Sequence, residues 1–361
     1  MVSFGPTRRA LLAGVAVAML AVACGSTNST PSGGSDVGKG ALTGAGSSFD
    51  QPLFNKAFYD YTAKYSQVTV NYQANGSGAG VKLFQAKTVD FGATDVPMAS
   101  ADITTAGGPD AMTQIPVTLG VVAIAYNVSG VSSLQLDSDT LSNIYLGKIT
   151  HWNDPAIAAL NSGVSLPNKK INVVYRSDGS GTTYIFTDYL SKVSDTWKSS
   201  VGTGKSVKFP TGTGAAQTQG VAQAISTTDG AVGYVELAYA IQTSMHTAKL
   251  KNKDGQFVDP TPAGATAAAS QNSSVSATNF SIVNEPGATS YPIAGFSWVV
   301  LYTSYSDADK GKALVYLMKW LVTDGQSEGA SLQYAPLPSS VQQLALANLK
   351  LVKAGGAAVL S

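Results

Sequence analysis

Arg176-Ser177-Asp178-Gly179-Ser180-Gly181-Thr182-Thr183 gathers more chemically able residues than any other stretch of this 361-residue chain. A guanidinium presents a planar fork of donors to a tetrahedral oxyanion. Glycines let the backbone approach a ligand closely, and serine and threonine hydroxyls add further donors. The elements on either side would aim the segment. Ile171, Val173 and Val174 form a β-branched run with strand character, and residues 184–190 have helical spacing. A strand therefore delivers the arginine, and a helix opens on the small hydroxyl residues, where unpaired N–H groups and the positive dipole end gather. Such a place suits an anion such as phosphate. The same residue types also make an ordinary helix N-cap, and the segment alone leaves both readings open. It is not a nucleotide-binding phosphate loop, because the lysine of G-x-x-x-x-G-K-[ST] is absent. Nor is it G-x-S-x-G, since Asp178 and Thr182 stand where glycines would be needed.

Three further loops repeat this chemistry. Gly44-Ala45-Gly46-Ser47-Ser48-Phe49 ends a short apolar strand and opens a helix with Pro52 in its first turn. Ser48 reads as its N-cap and as a hydroxyl donor. Gly76-Ser77-Gly78-Ala79-Gly80 follows the alternating Val68, Val70 and Tyr72 and opens another helix, with Ser77 at its mouth. The last, Asp90-Phe91-Gly92-Ala93-Thr94-Asp95, ends a strand on a carboxylate. Two like charges repel in a dry cleft, unless the ligand carries a proton. An ionised Asp95 only accepts hydrogen bonds. It would therefore accept one from a P–OH group and repel sulfate, which has no proton at neutral pH. Taken alone, this residue is equally open to a role as a helix cap or a salt-bridge partner.

Strand and helix patterns alternate along the rest of the chain. Leu53, Phe54, Ala57, Phe58, Tyr61 and Tyr65 recur at helical spacing. Helices are also predicted over 79–86, 141–146 and 155–160, and strands over 89–93, 117–126, 231–235 and 291–302. Residues 263–279 are low in complexity and read as a surface helix or loop. Ser306, with Asp309 three residues on, reads as the cap of a helix that buries Leu314, Leu317, Trp320 and Leu321. This βαβα order implies an α/β fold with largely parallel sheets.

With 44% hydrophobic and 12% charged residues, the chain can build one or two sizeable cores. Its first residues read as an export signal: basic Arg8-Arg9, an apolar stretch over 10–22 too short to span a bilayer comfortably, then Ala23-Cys24. Cys24 is the only cysteine, which excludes an internal disulfide. Its place directly after the apolar stretch resembles a bacterial lipobox, in which the cysteine is lipidated and becomes the mature N-terminus, although Ala21 stands where Leu is commonest. Thr7-Arg8-Arg9-Ala10-Leu11-Leu12 also resembles a twin-arginine export motif. The Ser-, Thr-, Gly- and Pro-rich residues that follow read as a flexible tether. Cleavage before Cys24 would remove two arginines and move the formal charge from +1 to −1. A general nucleic-acid binder is thereby excluded, and any anion binding must be local. The two histidines, His151 and His246, lie apart without carboxylate or thiol spacing for zinc.

Taken in order, several of these motifs resemble the PstS family, the substrate-binding proteins of the high-affinity phosphate ABC transporter. The matching stretches are Leu42-Thr43-Gly44-Ala45-Gly46-Ser47-Ser48-Phe49, Val89-Asp90-Phe91-Gly92-Ala93-Thr94-Asp95, Leu146-Gly147-Lys148-Ile149 and residues 176–183. Asn71-Tyr72-Gln73 and Gly230-Ala231-Val232-Gly233-Tyr234-Val235-Glu236 are similar too, so the resemblance runs from about Leu42 to the C-terminus. It implies a two-domain periplasmic-binding-protein (type II) fold whose chain crosses a hinge twice, near 117–120 and 291–295. The organisation that follows is a lipoprotein signal peptide over 1–23 and a tether over 24–40. Lobe I is then discontinuous, from 41–119 and 291–361, and lobe II takes 120–290.

The resemblance implies phosphate donors at Ser48, Phe49 (through its backbone N–H), Ser77, Arg176, Ser180, Gly181 and Thr182. It puts a proton-sensing carboxylate at Asp95. Asp178 either pairs with Arg176 or caps a helix. Ser48 replaces a threonine common in the family, and Gly78-Ala79 stands where some members have Ser-Gly. The implied activity is capture of inorganic phosphate and its delivery to the permease subunits of an ABC importer. The protein would act as a monomer, lipid-anchored through Cys24 on the outer face of the cell membrane, with no cofactor, metal or catalytic step. Rival readings are a hydrolase with Ser180 as nucleophile, which lacks a recognisable base, and a receptor for sulfate, molybdate or an organic phosphate. Asp95 argues against the first two of those ligands and a tight donor shell against the third. A surface phosphate sensor or adhesin without transport is a further alternative.

Overall fold

Apolar runs long enough to be covered on both faces set the centre of the molecule. The structure, a computed structural model, describes residues 36–361. The predicted signal, Cys24 and all but the end of the tether lie outside the described residues. In chain order the elements that matter here begin with β1 (Gly40–Gly46), α1 (Gln51–Lys64), β2 (Val68–Gln73), α2 (Ser77–Gln85), β3 (Phe91–Thr94) and β4 (Met112–Asn127). Next come α3 (Ser138–Tyr145), α4 (Pro155–Leu160), β5 (Asn172–Arg176), α5 (Gly181–Val193), β6 (Thr213–Ala215), α6 (Gln217–Thr227) and β7 (Ala231–Glu236). The last are α7 (Leu237–Gln242), β8 (His246–Thr247), α8 (Pro262–Ala269), β9 (Ala294–Tyr302) and α9 (Ala308–Val322).

The main sheet runs β2-β1-β3-β9-β4-β7-β5-β6, with β8 also pairing β4. Its flanks are parallel: β1 with β2 and β3, and β5 with β6 and β7. Its centre is not. β9 is antiparallel to both β3 and β4, and β4 is antiparallel to β7. The expectation of a largely parallel sheet therefore holds only for the flanks, where a helix follows each strand and provides the crossover. β4 is longer than predicted because it serves both flanks, pairing β9 from Met112 to Val121 and β7 from Val122 to Asn127. It is buried from Met112 through Tyr126, as a strand covered on both faces must be. Opposite Pro116, which cannot donate to a ladder, the register with β9 shifts between Ser297 and Trp298.

α1 buries Leu53, Phe54, Ala57, Phe58 and Tyr61, the face its spacing predicts. Four local expectations need correction. α2 starts at Ser77, two residues early, so Ser77 lies inside the helix's first turn. The N-cap position of α1 is Asp50, not Ser48. α8 buries Gly264, Ala265, Ala268 and Ala269, so part of the low-complexity segment is core, its small side chains allowing close approach. Finally, α9 is capped by Asp307, whose carboxylate accepts from the Lys310 N–H at 3.0 Å. A carboxylate one residue after Ser306 is simply in the better place. Leu314, Leu317 and Leu321 are buried as expected, while Trp320 is half-buried and packs its ring on Tyr61 at 5.4 Å between centroids. One large apolar cluster runs through both flanks, joined by β4 and β9. Among the described residues no helix is long and apolar enough to cross a membrane.

The α9 cap can be checked directly. Asp307→Ala is expected to cost about 1 kcal/mol in urea unfolding, whereas Ser306→Ala should stay within about 0.5 kcal/mol of the parent. The reverse order would return the cap to Ser306.

Candidate functional site

Strand ends from both flanks bring their loops together. The end of β1 supplies Ser47, Ser48 and Phe49, the loop after β2 supplies Ser77, and the end of β3 supplies Asp95. From the other flank β5 ends on Arg176, and the turn into α5 carries Asp178, Ser180, Gly181 and Thr182. The flanks touch through backbone. Gly78 N–H donates to the Gly179 carbonyl at 2.7 Å, and Gly181 N–H donates to Ser77 Oγ at 3.1 Å. Side chains would prevent this. A Cβ at Gly76, whose φ is +93°, would lie 2.3 Å from Asp178 Oδ2, and one at Gly181 would lie 2.5 Å from Asp95 Cβ.

All nine residues singled out from the sequence meet in this cluster, and all but Asp178 are buried. Arg176 donates from Nε to Asp178 Oδ1 at 2.7 Å and from Nη2 to Oδ2 at 2.5 Å. Asp178 is thus the partner of the arginine and does not cap α5. That cap is Ser180, whose Oγ accepts from Thr183 N–H at 3.1 Å. Among the described residues Asp95 neither caps a helix nor forms a salt bridge. Its Oδ1 accepts from Ser47 Oγ and lies 3.1 Å from Ser297 Oγ, while Ser77 and Thr182 hydroxyls each lie 3.4 Å from Oδ2. Phe49 N–H donates to Ser47 Oγ at 3.0 Å.

Several participants escaped the sequence reading. Thr218 N–H donates to Ser48 Oγ at 3.2 Å, and Thr218 Oγ1 accepts from Arg176 Nη1 at 3.3 Å. It is reached through Gln217, held at φ +61°, whose N–H donates to Asp178 Oδ1 at 2.9 Å. Its one sequence signal is Thr211-Gly212-Thr213-Gly214, a glycine-rich stretch that runs into β6 just ahead of α6. Ser297 on β9, Asp50 and Glu236 carried no such pattern. Glu236 caps α7, accepting from Ala238 N–H at 2.7 Å and Tyr239 N–H at 3.3 Å.

Charge is unevenly matched here. Burial raises the pKa of Asp178, but the Arg176 bonds and charge and the Gln217 N–H outweigh it and hold the carboxyl below the usual range. Burial pushes Asp95 up, against the pull of the Ser47 and Ser297 hydroxyls, the Arg176 charge and Thr182, and the net shift is upward. Burial also raises Glu236 well above the usual range, although the α7 N–H groups oppose it. What the arrangement can do is hold a small oxyanion on neutral donors and one guanidinium, with one carboxylate able to accept a proton from it. For covalent chemistry at Ser180 a base is needed. Neither histidine hydrogen-bonds Ser180: His151 sits beside Thr150, and His246 stacks on Tyr126. Among the described residues no group of three His, Cys, Asp or Glu side chains is placed to hold a metal ion.

Two parallel flanks joined by shared antiparallel strands, with loops converging between them, define a periplasmic-binding-protein fold of type II. Residues 26–324 match the PBP superfamily domain. A Xylella fastidiosa (strain 9a5c) protein named phosphate-binding protein PstS is 40% identical over 304 residues, covering 83% of this chain and 82% of that one. A protein of the same name from Pasteurella multocida (strain Pm70) is 42% identical over 309 residues, covering 84% and 88%. The solved phosphate-binding protein of Stenotrophomonas maltophilia matches with a TM-score of 0.65 at 21% identity, over 85% of this chain and 93% of that one, a likeness of fold. The chain belongs to the PstS family.

Asp178→Asn is expected to destabilise by about 2 kcal/mol at neutral pH. A fully buried pair would lose more, but 21% of the Asp178 side chain stays exposed. Because the folded-state pKa is depressed, this stability exists above the unfolded aspartate value of about 3.9 and is lost as pH falls through the folded value. Urea unfolding of both proteins should show the deficit closing on acidification. A pH-independent deficit would mean that the carboxylate charge is not its source.

Proposed function

We propose that this protein captures inorganic phosphate between the two flanks of its sheet and delivers it to the permease of an ABC phosphate importer. The observation that carries the proposal is the composition of the buried cluster: hydroxyls and backbone N–H groups from several loops, one guanidinium already paired with Asp178, and the Asp95 carboxylate set among the hydroxyls. Ser48, Phe49 N–H, Ser77, Ser180, Gly181 N–H and Thr182 spread the ligand's charge over many donors, as dehydration requires. Arg176, steadied by Asp178, grips two oxygens. Asp95 accepts the ligand's P–OH hydrogen and leaves sulfate with an unpaired repulsion. The names and identities of the relatives support the same ligand.

On this reading lobe I comprises 41–119 with 291–361 and lobe II comprises 120–290. The two lobes open and close about the paired strands near 117–120 and 291–295. Residues 1–23 are the signal peptide of an exported protein, Cys24 is its lipid anchor, and 24–40 its tether. It works as a monomer and performs no catalysis. The capping role of the Ser180 hydroxyl and the positions of the histidines favour binding over hydrolysis.

Calorimetric titration of the anion-stripped protein with phosphate and then sulfate tests this. Phosphate should bind, and sulfate should bind roughly 1000-fold or more weakly. Asp95→Asn should narrow that gap by about tenfold or more, since an amide can donate to sulfate. A folded, stripped protein that takes up no phosphate would end the proposal.

A further inference from the structure

Asp50 is buried behind the site, where an aspartate has no ordinary task. It occupies the N-cap position of α1, yet its carboxylate accepts no helix N–H. Its φ of −80° and ψ of −13° are helical, whereas capping side chains start from an extended residue. Oδ2 lies 2.6 Å from Ser297 Oγ, and Oδ1 is buried without a hydrogen-bond partner among the described residues. The same Ser297 Oγ lies 3.1 Å from Asp95 Oδ1 and 3.4 Å from the Thr94 carbonyl.

A hydroxyl owns one hydrogen. With both carboxylates ionised, Ser297 could serve only one of them, and two anions would share a dry space. The titratable groups whose fields meet Asp50 are Asp95 beyond β3, Glu236 at the end of β7, Tyr72 on β2, Tyr239 on α7 and Tyr334 near the C-terminus. None of these is a cation. Arg176 acts on Asp95. The dipole of α1 favours an anion at Asp50, but without a bond to a helix N–H that field is smaller than the cost of burying a second charge. Hydroxyls are divided as unequally as charge. Asp95 has those of Ser47, Ser77, Thr182 and Ser297 within reach, and Asp50 has Ser297 alone. A single proton shared between the two belongs on Asp50.

We propose that Asp50 is a positioning residue that holds the proton of a relay, donating from Oδ2 to Ser297 Oγ, whose own hydrogen goes to Asp95 Oδ1, so that Asp95 stays an ionised acceptor facing the ligand. The proposal rests on the phosphate reading of the site. Burial, followed by the Asp95 charge, drives Asp50 well above the usual carboxylate range, with the Ser297 bond opposing and Glu236 adding to the rise. Glu236 itself is held by the α7 N–H groups. When pH climbs through the raised value, the relay loses its proton and a second negative charge stands behind the anion site. Asn at position 50 supplies an N–H to Ser297 and never acquires that charge.

The test is phosphate affinity of the full protein and of Asp50→Asn, measured side by side from about pH 5 to about pH 9. The ligand's own ionisation cancels in the ratio of the two affinities. The ratio of variant to parent affinity is expected to climb by about tenfold toward alkaline pH, the weight of one pKa unit. A ratio that stays constant across a pH range in which the buried carboxyl is seen to lose its proton, while the parent binds phosphate, overturns the relay. A parent that binds no phosphate overturns the functional reading instead. Carboxyl-carbon NMR of the parent protein labelled with 13C-aspartate needs neither the variant nor the ligand. One buried aspartate should remain protonated through neutral pH, and complete ionisation of every aspartate by about pH 6 would overturn the assignment of the proton.

Discussion

A buried guanidinium is the constraint on which the rest of this site depends. Arg176 is 5% exposed and is the one lysine or arginine buried among the described residues. Left unpaired, such a charge would cost several kcal/mol. Its partner, Asp178, comes two residues later on the same turn, so the pair belongs to one flank. Asp178 and Thr218 engage three of the five guanidinium donors. Those remaining keep the fork available for a second anion. Everything else in the cluster answers to the resulting imbalance. One cation is spent on Asp178, and Asp95, Asp50 and Glu236 must be stabilised by hydroxyls, by helix N–H groups or by a proton.

The antiparallel centre of the sheet explains how these groups come to face each other. Loops that bind ligands sit at the C-terminal ends of parallel strands, and each flank presents its ends toward the other. Sharing β4 and β9 joins the flanks without a flexible linker. β9 does more than connect. Pro116 interrupts its ladder with β4, the register shifts beside Ser297, and a shift of this kind re-aims a side chain. Ser297 then reaches both Asp50 and Asp95. A proline in one crossing strand is thereby tied to the protonation of the site.

How much of this was legible in the chain follows from what each residue depends on. The loops at Ser48, Ser77, Asp95 and Arg176 to Thr182 announced themselves because glycine, hydroxyl and charge sit together in sequence. So did most helices, whose periodicity is local. Strand direction did not, because β9 pairs with β3 and β4 only after the whole second flank has been built, and no local pattern encodes that partner. Thr218 opens α6 just after a strand, β6, only three residues long, too short for an alternation to show. Asp50 and Ser297 were invisible for a different reason. An aspartate before a helix reads as a cap and a serine in an apolar strand reads as filler, and only their approach in space gives either one a task.

Selectivity by an acceptor works only while that acceptor keeps its charge. A protonated Asp95 would become a donor and welcome sulfate as readily as phosphate. The interior that would make its discrimination strong, by excluding water, also pushes it toward protonation. The cluster resolves this conflict with hydroxyls rather than with a second cation. A second cation would hold Asp95 ionised, but it would also attract every anion alike. Hydroxyls stabilise the carboxylate while leaving the site nearly neutral, and each can turn its hydrogen to a ligand without moving its oxygen. On the proposed function, discrimination between two isosteric anions thus comes down to where a few hydrogens reside, and a rigid frame of glycine turns and shared strands keeps the oxygens in place while they are reassigned.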